Sequence, residues 1–213
     1  MQSFNGHILL KITKSFDPVW NDRGSGGSRN GSFWHPKSED YYRPVGSVAV
    51  PNYDDINGKR FSILLKRNPD ANIHGPEPLA RPKGYQLIWK DEGSGANENG
   101  SLWRPVPHTG YRSLGDVVQK GWEEPDIERI WCVLDEYVQG SDYDRRIWDD
   151  TKTKSSKDVS VWEIVNLVEF PSGPPEGVKM EDLIGCWRAK EGHSPYPEHV
   201  LARKLVKGLF QAP

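Results

Sequence analysis

Three aspartates, Asp22, Asp91 and Asp150, each stand two residues after a tryptophan and open a polar loop. A carboxylate in that setting has two kinds of chemistry open to it. It can accept hydrogen bonds from sugar hydroxyls or join an oxygen-lined cation site of the kind calcium uses. It can also cap its own loop by accepting backbone N–H groups. The paired tryptophans Trp20 and Trp34, Trp89 and Trp103, and Trp148 and Trp162 pose the same choice. An exposed indole stacks on a sugar face or an acyl chain, whereas a buried one gives a large apolar area to a core. Capping and packing are the commoner uses of such residues. The ligand-facing alternative draws in Asn30, Asn99 and Asp158, which stand at matching places before the second tryptophan. It defines one candidate binding set: Asp22, Asn30, Trp34, Asp91, Asn99, Trp103, Asp150 and Asp158.

The elements that must hold these residues are set by an internal repeat, which fixes architecture before any local reading. Trp20 to Trp34 and Trp89 to Trp103 align without a gap, sharing Gly24-Ser25-Gly26 with Gly93-Ser94-Gly95 and Asn30-Gly31-Ser32 with Asn99-Gly100-Ser101. Trp148 and Trp162 keep the same separation although the glycines between them are gone. Each copy reads as a β-hairpin, an apolar run, a Gly/Ser/Asn loop and a second short run. Simple antiparallel pairing would place the two tryptophans of a copy opposite each other on one face, and a bulge would break that register.

Other chemistry has weaker support. His35 and Arg104 follow the second tryptophan of their copies, and with His108, Asp116 or Glu123 they suggest acid–base machinery, but the third copy places Glu163 there. Cys186, His193 and His199 are zinc-type residues in a spacing that matches no common site. No nucleophile elbow, His-Glu-x-x-His helix or phosphate-binding Gly loop opening a helix is present, so no catalytic residue, metal site or cofactor is assigned. The glycine-rich stretches read as hairpin tips.

Lys and Arg number 28 against 30 Asp and Glu, a net charge of −2, so no global basic field points to nucleic acid. Gly 21 and Pro 17 with two Met suit short strands and turns. The opening residues carry no secretory pattern and no apolar run approaches the roughly 20 residues of a membrane span, so a soluble chain is expected, secreted only if a signal has been removed. Two cysteines make no disulfide framework, and Cys132 reads as a buried thiol. Asn30 and Asn99, although in sequons, read as turn residues.

Along the chain, strands are expected at His7 to Ile12, Phe61 to Lys66 and Ile130 to Asp135. Gly46 and Gly115, equally far from their tryptophans, suggest strand bends. A proline-rich loop runs from Asn68 to Pro82, a short helix is expected near Lys179 to Ile184, and the tail from His199 to Phe210 reads as a strand pairing with the first. The resulting expectation is one all-β domain over residues 1–213. It has three pseudo-symmetric hairpin or Greek-key units at about 8–50, 61–118 and 130–170, and an unrepeated closing segment at 171–213. A β-prism-like arrangement is the leading architecture and a β-sandwich the alternative.

The words Ser101-Leu-Trp-Arg-Pro-Val-Pro-His-Thr-Gly-Tyr-Arg-Ser-Leu-Gly-Asp-Val117, Glu124-Pro125 and Trp131-Cys-Val133 resemble the vacuolar protein sorting-associated protein 62 family over roughly residues 8 to 165. That resemblance implies a link to vacuolar delivery, and a place in the cytoplasm or on the periphery of the vacuole or endosome. It carries over no catalytic residues. The functional expectation is a non-enzymatic, lectin-like module that recognises a glycan or lipid head group at the hairpin mouths. A trafficking adaptor for protein partners and an enzyme with a site in the closing segment are the alternatives.

Overall fold

Short apolar runs cut by glycine, proline and Asn-Gly turns can form strands but not long helices, and the computed structural model has that character. It describes residues 6–165, 167–170, 173–197 and 202–206. The first repeat and its exit give β1 (Ile8–Thr13), β2 (Phe16–Asn21), β3 (Ser32–Pro36), β4 (Val48–Val50) and β5 (Ser62–Arg67). The second gives β6 (Leu79–Ala80), β7 (Gly84–Lys90), β8 (Gly100–Val106), β9 (Tyr111–Arg112) and β10 (Val117–Lys120). The third gives β11 (Cys132–Leu134), β12 (Val138–Ser141), β13 (Tyr143–Asp149), β14 (Val159–Ile164) and β15 (Trp187–Glu191), and β16 (Ala202–Leu205) follows.

Three equivalent antiparallel sheets result, β2-β3-β4, β7-β8-β10 and β13-β14-β15, flanked by the smaller ladders β1-β5, β6-β11-β9 and β12-β16. The fold is all-β and β-prism-like.

A bulge decides which tryptophan enters the core. Pairing runs Pro18 with Trp34 and then Trp20 with Phe33, so Val19 is the extra residue. The same slip separates Leu87–Trp103 from Trp89–Leu102, and Arg146–Trp162 from Trp148–Val161. Because side chains alternate across a strand, one inserted residue sends the two tryptophans of each hairpin to opposite faces. Trp20, Trp89 and Trp148 therefore turn inward, where their rings meet edge to face at 5.6 Å for all three pairs. Equal spacing round the ring marks a pseudo-threefold axis. Each edge-to-face pair adds about 0.5–1.5 kcal/mol to the area it buries.

Close approach to the axis explains several glycines. A Cβ on Gly31 would collide with the Trp148 ring, and one on Gly100 with the Trp20 ring. Gly46 and Gly115 stand in the expected bends ahead of β4 and β10, without a left-handed dihedral. They touch each other across the axis together with Cys186, which fills the third equivalent place.

The third repeat extends further than its sequence suggests. Its outer strand is β15, paired with β14 from Val159–Glu191 to Glu163–Trp187, inside the segment that reads as unrepeated. The tail strand β16 pairs with β12, not with β1, whose partner is β5. The expected helix near Lys179 is a 3-10 turn at Met180–Asp182. Residues 199–201 and 207–210 of the expected tail strand lie outside the described residues.

Candidate binding site

The hairpin mouths are built alike. Asp22, Asp91 and Asp150 are only 3%, 4% and 3% exposed. Each Oδ1 accepts the backbone N–H nine residues on, from Gly31 at 3.0 Å, Gly100 at 3.0 Å and Val159 at 2.9 Å. A ring from a later loop meets the same oxygen: Tyr53 O–H donates at 2.7 Å, Trp122 Nε1–H donates at 2.8 Å, and His193 Nε2 lies at 2.7 Å. Burial pushes the Asp150 carboxyl up, against the pull of its His193 and Val159 hydrogen bonds. Sequence reading missed Tyr53 and Trp122 and took His193 only as a zinc-type residue. Tyr53 and Trp122 stand equally far after Trp34 and Trp103, so the repeat itself held the signal for both.

The three tips close on one another in a cycle. Ser28 N–H donates to Thr151 O at 2.9 Å, Asn97 N–H to Arg23 O at 2.7 Å, and Ser156 N–H to Glu92 O at 3.1 Å. Beneath them Trp20 Nε1–H donates to Glu98 O and Trp89 Nε1–H to Lys157 O, each at 2.8 Å and each reaching the next repeat's loop. Trp148 completes the ring by donating to Asp22 Oδ2 at 2.8 Å. Gly24 and Gly93 have φ of +91° and +80°, and Lys152 keeps the same left-handed turn at +68° without being glycine.

The structure sorts the expected binding residues by depth. Asn30, Asn99 and Asp158 are exposed on the apex rim, whereas Trp34 and Trp103 are buried with their indole N–H groups on Ser32 and Ser101 Oγ at 2.9 and 2.8 Å. Among the described residues, potential cation ligands gather only at the third mouth, where atoms of Asp150, Asp158 and His193 lie within 4.8 Å of one another. The Asp150–His193 hydrogen bond accounts for that approach. Cys186, the other zinc-type residue described, is buried on the axis.

The suspected acid–base residues are structural partners. His35 is buried between Ser47 Oγ at 3.0 Å and Arg129 O at 3.2 Å. Desolvation, reinforced by the Arg129 charge, lowers its pKa to about 3, so it is neutral at physiological pH. At the equivalent place in the second repeat, Arg104 grips buried Asp116 through Nε at 3.1 Å and Nη2 at 2.9 Å. His108 is exposed. A cleft of about 460 Å³ reaches into the closing segment, but Arg60 pairs there with Asp182 and Arg145 with Glu163.

One concavity adjoins a mouth. A groove of about 420 Å³ runs beside the first hairpin, between Trp34 and Tyr53 on one side and Glu98 and Lys120 of the second repeat on the other. Arg23 lies 4.4 Å over the Tyr53 ring, and Lys120 Nζ pairs with Glu98 at 2.9 Å. Aromatic surface and paired hydrogen-bonding groups thus share one open trough.

The crystal structure of GNIP1Aa from Chromobacterium piscinae superimposes with a TM-score of 0.65 at 25% identity, over 85% of this chain and 37% of that one. The WD repeat-containing protein YPL247C of Saccharomyces cerevisiae is 30% identical over 96 residues, which is 45% of this chain and 18% of the yeast protein. The chain thus spans well under half of either relative. The family model for vacuolar protein sorting-associated protein 62 matches residues 5–169, which cover all three hairpins. The chain belongs to the vacuolar protein sorting-associated protein 62 family.

Proposed function

We propose that this chain is a non-enzymatic, lectin-like binding module that takes a glycan, or the polyol head group of a lipid, in the groove beside its first hairpin mouth. The observation that carries this reading is the groove itself, with the half-buried Tyr53 and the small exposed part of Trp34 offering ring surface and Asn21, Arg23, Glu98 and Lys120 offering donors and acceptors. Sugars are recognised by that combination, since their C–H faces lie on rings while hydroxyls bridge planar polar groups. Asn30, Asn99 and Asp158 on the rim extend the contact surface, and the buried aspartates hold the loops that present it. A glycan array read with the intact chain and with Tyr53→Ala tests the proposal. Saturable binding that the variant loses supports it, and an array without any saturable signal ends it.

A trafficking adaptor is the second reading. Family membership supports it, as does the exposure of Pro69, Asp70 and residues 74–77 in the proline-rich loop. If deletion of residues 70–76 leaves every co-purifying protein in place, this reading fails.

A further inference from the structure

At the junction of the second and third repeats the pseudo-symmetry is broken by charge. Arg104 and Asp116 occupy the places that His35 and Ser47 hold in the first repeat. Arg188, at the head of β15, replaces the apolar Val48 and Val117 of β4 and β10. Arg188 is fixed by Leu114 O at 3.2 Å and Ser113 Oγ at 3.1 Å, and its Nη1 lies 3.5 Å from Asp116. Two guanidinium groups therefore share one buried carboxylate. Arg112, held by Asp135 at 2.8 Å, and Arg203 of β16 join them round a cleft of about 190 Å³. Its lining also includes Tyr143 and Tyr196, stacked at 3.8 Å and 6°. Among the described residues no carboxylate lines the cleft. Among those residues four guanidiniums stand against two carboxylates, Asp116 and Asp135, an excess of two positive charges.

We propose that this cleft is a binding site for a phosphate monoester or diphosphate group. Arginine's planar fork matches phosphate oxygens, and the Arg104, Arg112 and Arg188 forks are already set in place by the hydrogen bonds behind them, so little side-chain entropy is lost there on binding. Arg112 Nη1 and the Arg203 guanidinium make no hydrogen bond among the described residues and supply the donors, while Arg104 is also engaged by Tyr196. The small volume admits one charged group and not an extended polyanion, and the tyrosine stack forms an apolar wall beside it. The site shares no residue with the groove beside the first mouth, so either proposal can fail alone.

Arg112 and Arg203 are the residues to change, because Arg104 and Arg188 hold Asp116 in the core. Inorganic pyrophosphate is titrated calorimetrically into the intact chain, Arg112→Gln and Arg203→Gln at low salt. In parallel, phosphatidylcholine vesicles with and without phosphatidic acid are sedimented with each protein. Saturable pyrophosphate binding that each variant weakens about tenfold or more supports a soluble phosphate ligand. Vesicle binding that needs phosphatidic acid and falls in both variants supports a head group presented by lipid. Arg29→Gln on the apex is the control and leaves either signal unchanged. Absence of both signals, or a signal that neither cleft variant alters, overturns the proposal.

Discussion

The apex and the waist of this prism treat symmetry in opposite ways. At the apex all three repeats use one plan. An aspartate caps its own hairpin, a ring from a later loop meets it, a tip donates to its neighbour, and an indole turns onto the axis. At the waist the equivalent pairs are His35 with Ser47, Arg104 with Asp116, and Glu163 with Trp187, each a different chemistry. The contrast teaches that threefold identity serves closure of the fold. The two proposed sites lie away from that axis, the cationic cleft where one repeat departs from the others.

Breaking the ring should have the largest effect. Trp148→Ala removes one of three meshed indoles and leaves Asp22 Oδ2 without its donor. A loss of about 3–5 kcal/mol is expected in urea unfolding. Gly100→Ala drives a methyl into the Trp20 ring and should cost about 1–3 kcal/mol by the same measurement. Arg203→Gln at the waist should stay within about 0.5 kcal/mol, as surface changes do.

A pH series sharpens the contrast at the waist. His35 is held neutral in the folded chain, its pKa lowered from 6.5 to about 3. As pH falls below 6.5 the unfolded state takes up a proton that the folded state refuses, so the His35 contribution is complete above 6.5 and declines toward 3. One pH unit below the unfolded value this amounts to about 1.4 kcal/mol. His35→Gln should flatten the stability slope between pH 6.5 and 5.5, measured by thermal unfolding. A small gain is expected at the third apex loop, where Lys152→Gly relieves a left-handed lysine and adds at most about 1 kcal/mol.

Much of the apex was legible in the sequence because its repeat lies within single hairpins. The Trp and Asp spacing foretold three equivalent mouths, and capping by aspartate follows from the Asn-Gly loops. What escaped depends on register and on long range. The bulges at Val19, Ile88 and Ile147 separate the tryptophans of each pair, and a single extra residue leaves no mark on their spacing. Tyr53 and Trp122 reach their aspartates from the far end of each unit. The third sheet takes β15 from beyond the Pro171 to Pro175 stretch, so its symmetry is spatial where its sequence symmetry has faded. Gly46 and Gly115 were marked by matching position, but their reason, contact across the axis with Cys186, needs all three repeats assembled.

The central claim is that the symmetric ring is scaffold and that ligand is read beside it. Indole N–H resonances followed by NMR, during titration with a glycan chosen from the array, test it most directly. The account predicts saturable shifts at Trp34 and at the Tyr53 and Lys120 amides, with the Trp20, Trp89 and Trp148 indoles unmoved. Equal shifts at all three mouths, or movement of the inner indoles while the groove stays silent, would contradict it.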